Sequence, residues 1–257
     1  MRKINCSVAI FLAILLAAGC AGKGSSKKGS GELSADTVSV SDTGFTGIKK
    51  YYSNDLLIKE VTFRNGIQEG EMKSYYQGGQ LNQTMWYENG LREDSVRKYY
   101  LEGQVFRITP YKHDTIDGTQ IQYYRNGRVR AKLHFIKGFR TPLLEEFTRD
   151  GKLIKDYPEI VFTINDNYST SGKVRINLEL TDKSRKVNFY RGEFTNGIFD
   201  TAKCKIIPAV NESIYLDLRK SGTSQPEYIG IIGAILTDFG NRYLAYKRIE
   251  LPYKDLK

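Results

Sequence analysis

Few of the side chains that ordinarily perform catalysis are present, and those few are badly placed for it. The chain of 257 residues carries two histidines, His113 and His134, and three cysteines, Cys6, Cys20 and Cys204. The histidines are 21 residues apart with no Cys or His close to either, so no metal-ligand spacing is formed. The adjacent carboxylates Glu145-Glu146 point to opposite sides of any strand that holds them, the wrong arrangement for shared acid–base work. No glycine-rich loop follows a strand and opens a helix in the manner of a phosphate site. The residues that do recur at fixed spacing are aromatic and cationic, and their chemistry is recognition.

Tyrosine pairs stand at Tyr51-Tyr52, Tyr75-Tyr76, Tyr99-Tyr100 and Tyr123-Tyr124, with Phe147-Thr148 in a fifth slot one period on. A turn follows each pair: Asn54-Asp55, Gly78-Gly79, Glu102-Gly103, Asn126-Gly127 and Asp150-Gly151. An aliphatic residue comes next (Leu57, Leu81, Val105, Val129, Leu153), and then an aromatic (Phe63, Tyr87, Tyr111, Phe135). A strict 24-residue period means one supersecondary unit, copied and stacked. Aromatic and β-branched enrichment with Asn-Gly-type turns makes that unit a β-hairpin, with a two-residue turn after the tyrosines and a looser link to the next copy, such as 65–70.

Pairing through a Gly78-Gly79 turn places Met72, Tyr76, Leu81, Met85 and Tyr87 on a buried face. Lys73, Tyr75, Trp86 and Arg97 fall on the opposite face, near His134. By the same beat Tyr51, Tyr75, Tyr99 and Tyr123 form a visible ladder, and Tyr51, Tyr75, Tyr99, Tyr123, Trp86, Lys73 and Arg97 are the candidate binding residues, since Tyr and Trp give large contact area at low entropic cost. The alternative is that the ladder is cross-strand packing or is covered by the C-terminal domain. Pro110 falls inside an expected strand, where it cannot donate to a ladder, so the sheet should be irregular there.

Beyond Tyr157-Pro158 the beat stops. Seven short β-prone runs follow (160–164, 174–180, 187–194, 203–207, 214–218, 228–236 and 243–251), divided by turn-rich segments. They predict an antiparallel β-sandwich, immunoglobulin-like in strand count but without the Cys and Trp landmarks of antibody domains. The nearly all-apolar run 228–236 reads as its central strand. The fold class is therefore all-β: tandem hairpin repeats over 48–156 and a sandwich over 157–257.

Two resemblances extend this reading. Met1-Arg2-Lys3, the apolar run Val8 to Ala18 and Leu16-Ala17-Ala18-Gly19-Cys20 resemble a bacterial lipoprotein signal. The likeness implies a signal peptide over 1–19, lipid attachment at Cys20, and a Gly/Ser/Lys-rich tether over 20–47. It also implies a cell-envelope location, with the outer membrane and its periplasmic side favoured over the surface. The formal charge of +10 falls to about +8 once Arg2 and Lys3 leave with the signal. For an exported protein that charge suits anionic headgroups or acidic envelope polymers better than nucleic acid. The simpler reading, that Lys and Arg occupy the solvated side of strands and guard their edges, is favoured over either partner. With Cys6 removed and Cys20 acylated, Cys204 has no partner for a disulfide within the mature chain.

Tyr123-Tyr124-Arg125-Asn126-Gly127-Arg128-Val129 and Trp86-Tyr87-Glu88-Asn89-Gly90-Leu91 resemble the MORN-type repeat, in the variant carried by bacterial YwqK-family antitoxin proteins. That resemblance implies an extended hairpin platform for proteins or membranes, with no cofactor. The sequence thus points to a membrane-anchored, non-catalytic interaction platform for a protein, glycan or lipid. A structural spacer displaying a C-terminal recognition domain, or an enzyme with an unrecognised site, are the alternatives. The oligomeric state is left open.

Overall fold

Turn chemistry sets the architecture. The computed structural model describes residues 44–223 and 227–257; Cys20, the signal segment and most of the expected tether lie outside them. Ten strands form one antiparallel meander: β1 (Gly47–Ser53), β2 (Leu56–Arg64), β3 (Ile67–Tyr75), β4 (Leu81–Glu88), β5 (Leu91–Tyr99), β6 (Val105–Lys112), β7 (Thr115–Ile116), β8 (Gly118–Tyr123), β9 (Val129–Ile136) and β10 (Phe139–Glu146). Two kinds of loop alternate along it. Between repeats lie two-residue turns with both residues at positive φ: Asn65-Gly66, Asn89-Gly90, His113-Asp114 and Lys137-Gly138, the type I′ pattern. Within repeats the loop is longer. Gly79, Gly103, Gly127 and Gly151 take φ between 80° and 93°, and each N–H bonds the carbonyl three residues back, on Tyr76, Tyr100, Tyr124 and Thr148. The tight and loose connections are therefore the reverse of the expected ones, because only a glycine closes this longer loop without strain.

The first hairpin departs from its copies. Asp55 holds the slot of those glycines, and Asn54 and Asp55 (φ 49° and 61°) make a two-residue turn instead. In the second repeat Tyr75 pairs with Leu81, whereas Tyr52, not Tyr51, pairs with the equivalent Leu57. β1 has thus slipped by one residue, and a one-residue slip turns every side chain to the other face.

Away from that strand the faces sort as expected except at the bulges, where Tyr75 and not Tyr76 pairs with Leu81, so Leu81 shares the front face in place of the expected buried one. A front row runs Glu60, Lys73, Thr84, Arg97, Ile108, Ile121, Lys132, Glu145. A back row carries Val61, Met72, Met85, Val96, Thr109, Gln120, Leu133 and Leu144. The sheet is irregular at Pro110, where its neighbour is split into β7 and β8 and a Cβ at Gly118 would meet the Pro110 ring at 3.3 Å.

The chain then builds two four-stranded antiparallel sheets from β11 (Ile160–Asn167), β12 (Lys173–Leu180), β13 (Val187–Arg191), β14 (Lys205–Ile207), β15 (Ala209–Val210), β16 (Ser213–Arg219), β17 (Tyr228–Leu236) and β18 (Arg242–Glu250). Their orders are β11-β12-β16-β15 and β14-β13-β17-β18. Lettered A, B, C, C′, D, E, F, G along the chain, these are ABED and C′CFG, the immunoglobulin-like arrangement. The main hydrophobic core lies between them, with Val174, Ile176, Leu180 and Leu218 from one sheet and Phe189, Ile231, Ile235 and Ile249 from the other. β17 is central as expected. Its Gly230 admits a close backbone approach, since a Cβ there would lie 2.5 Å from the Gly192 carbonyl oxygen.

Candidate functional site

The front ladder is tied inward. Tyr75 donates to Glu60 Oε2 at 2.6 Å, and burial followed by this bond pushes its phenol up to about 12. Tyr99 and Thr84 share a 3.4 Å hydroxyl contact at the equivalent position. Tyr123 is half-buried, and Lys73 is paired with Glu71 at 3.0 Å. Arg97 is exposed, between Thr84 and Ile108. Trp86 is exposed and reaches over Gly70. Tyr51 does not join them. The slip of β1 puts it on the back face, with Lys59 Nζ 4.3 Å from its ring, while Tyr52 turns outward at 60% exposure. The expected division into a hidden and a visible tyrosine row is corrected accordingly: both members of the inner pairs are half-buried, because a single-layer sheet has no second layer to bury one of them fully.

The second tyrosine of each inner pair has a different and periodic task. Tyr76 donates to the Tyr99 carbonyl (2.7 Å), Tyr100 to that of Tyr123 (2.8 Å) and Tyr124 to that of Phe147 (2.6 Å). Each hydroxyl therefore satisfies a backbone acceptor 23 residues ahead and fixes its ring against the next repeat.

Where the last repeats meet the turn after β17, these rings form one wall of a groove of ≈ 800 Å³. Tyr100 and Tyr124 stand on the repeat side and Phe239 on the turn side, with Arg125, Arg130 and Arg149 between them and Asn126 and Thr148 completing the lining. Arg125 and Arg149 are the first loop residues of successive repeats. Arg130 sits at the bulge of β9, which re-aims its side chain. Its guanidinium bonds the Phe239 carbonyl and lies 5.8 Å from the Phe239 ring centre. Arg125 rests on the Tyr100 ring at 4.8 Å and pairs loosely with exposed Glu102 at 3.3 Å. The Arg149 guanidinium has no hydrogen-bond or ion-pair partner among the described residues.

A buried polar cluster holds the two walls in place. Glu146 is fully buried and accepts from Asn241 Nδ2 (2.7 Å), Thr237 Oγ1 (2.8 Å) and the Tyr157 hydroxyl (3.2 Å). Asn241 in turn accepts from Gln122 Nε2 at 2.8 Å. Burial, followed by the Glu146 charge, raises the Tyr157 phenol far above its usual range. Arg140 bonds the Arg242 carbonyl at 3.2 Å, and burial lowers its guanidinium to about 10. Glu145 and Glu146 do face opposite ways, as the strand geometry requires: Glu145 is on the front beside Lys132 at 2.8 Å.

The lone Cys204 thiol is pushed up by burial, and among the described residues no three His, Cys, Asp or Glu side chains converge on a metal-sized site. Sequence reasoning missed Arg125, Arg130, Arg149 and Phe239. The 24-residue repetition of Arg125 and Arg149 was a readable signal, but Phe239, ninety residues further on, gave none.

Residues 68–89 and 116–137 match the MORN repeat variant. The two matches start 48 residues apart, two periods, and each covers one hairpin with its glycine loop, β3–β4 and β8–β9. MORN repeats commonly serve in binding and interaction. No curated protein matches the chain.

Proposed function

We propose that this chain is a non-catalytic interaction platform whose binding surface is the groove walled by the last MORN repeats and the Thr237–Asn241 turn. The observation that carries this reading is a groove lined by three guanidiniums and, among the described residues, no carboxylate. Such a lining selects a partner of opposite charge. The lipoprotein-like leader supports an envelope protein, lipid-anchored at Cys20, that displays this platform to neighbouring envelope components. Photocrosslinking in intact cells tests the reading. A crosslinker at position 149 should capture a partner that one at front-face position 86 does not; capture from neither position, or equal capture from both, removes the groove as the binding surface.

A further inference from the structure

The back face carries more positive charge than the groove alone. The cross-strand row next to its apolar residues runs Lys59, Ser74, Gln83, Lys98, Arg107, Gln122. It holds three cations and no carboxylate until it reaches Glu146, which is buried and committed to Asn241 and Thr237. The Nε atom of Arg107 is buried with no hydrogen-bond partner. The front face mixes its signs, pairing Lys50 with Glu60 and Lys132 with Glu145. Five inter-strand steps of ~4.8 Å give this back-face track a length of roughly 24 Å. In the groove, Arg125 and Arg149 occupy the same slot of successive repeats, two strand widths or ~10 Å apart.

From this we infer that the back face binds a linear acidic polysaccharide, whose carboxylates pair with Arg125, Arg130 and Arg149 in the groove and continue along Arg107, Lys98 and Lys59. The inference rests on the platform reading and names its ligand class. Two of the groove's three rings are already covered: Arg125 and Phe106 (5.2 Å, edge-on) pack on Tyr100, and Arg130 packs on Phe239. They hold guanidiniums in place and leave little ring surface on which nucleobases could stack, which disfavours a nucleic acid. An extended peptide fits poorly as well, because the track crosses a sheet face and not an edge, so the peptide's own N–H and C=O groups would find no ladder. Guanidinium forks bind planar carboxylates bidentately, and arginines ~10 Å apart suit the spaced carboxylates of an acidic polysaccharide better than the dense charge of an inorganic polyphosphate.

The test uses the full chain and fluorescence anisotropy with labelled polygalacturonate or polyphosphate, with galacturonate monomer and inorganic phosphate as competitors. Polygalacturonate should bind more tightly than polyphosphate, with an affinity that falls as salt rises. R125Q/R149Q should weaken binding by roughly tenfold or more per arginine, while K50Q/K73Q on the front, with the same loss of charge, should leave it unchanged. Circular dichroism of each variant establishes that it is folded. The inference is overturned if polygalacturonate does not bind or binds no better than polyphosphate, if the front variant weakens binding as much as the groove variant, or if the monomeric anions compete equally per acid group. Should the polymers fail while position 149 still captures a partner in cells, the ligand class falls and the platform stands.

Discussion

Truncating Glu146 to alanine tests whether the repeats and the sandwich are joined by one buried acceptor. The carboxylate is fully buried and receives three hydrogen bonds, from Asn241, Thr237 and Tyr157. Removing it strands three donors in the interior at about 1–2 kcal/mol each, or roughly 3–6 kcal/mol in all. Relief of the carboxylate's own desolvation, a few kcal/mol, offsets about half of this and leaves a net loss of roughly 2 kcal/mol. For a folded unit of this size that is ~4–8 °C in Tm. Glu146→Gln keeps the oxygen that Asn241 and Thr237 share, but it loses the charge assistance and makes the Tyr157 hydroxyl an acceptor where it had been a donor, so about 1 kcal/mol is expected. Urea denaturation of both variants, with calorimetry to check that the transition stays single, measures the difference. An alanine variant within ~1 kcal/mol of the parent, or a glutamine variant as unstable as the alanine one, would refute the reasoning.

Tyr100→Phe and Tyr124→Phe each remove one hydroxyl-to-carbonyl bond between repeats; each should cost about 1 kcal/mol by the same assay, and the two should add because the sites are a full repeat apart. Gly127→Ala places a side chain at φ 80°, with open space around it, so its cost of roughly 1 kcal/mol or more comes from the backbone alone; an unchanged urea midpoint would contradict the loop assignment. Tyr75 should ionise near 12 in place of the ordinary 10.0. A pKa raised by folding gives stability that is complete below pH 10.0 and is lost as pH climbs toward about 12. Tyr75→Phe should therefore flatten that alkaline slope, and a ring-carbon NMR titration of Tyr75 with its midpoint near 10.0 would show the hydrogen bond to Glu60 to be absent.

How much of this could be read from the residues differs from element to element. The strands of the inner repeats were legible because period two and period 24 act together: Met72 and Met85 could only face one way once the glycine loops were aligned. The sandwich was legible for a related reason, since runs such as Val174-Arg175-Ile176-Asn177-Leu178 declare their inner face, and only the two-residue strand at Ala209 was too short to leave a pattern. The reversal of β1 was not legible. It depends on Asp55 standing where its copies have glycine, a local choice of loop length that moves Tyr51 across the sheet without altering the spacing of the tyrosines. The groove was hidden for another reason: Phe239 comes from a turn of the sandwich, and no local pattern announces which distant turn will dock on which repeat.

The reach of the tyrosine hydroxyls, always 23 residues ahead, bears on how such a chain changes its length. If a stretch of one period is excised from the interior, the donor upstream of the cut meets the same acceptor it would have met before, now supplied by the following copy. If a stretch is duplicated, the new copy arrives with both halves of the joint. Tandem gain or loss of units is in this way nearly free of scars, so the span of the array can drift between generations while its two ends, and whatever is seated there, stay unaltered.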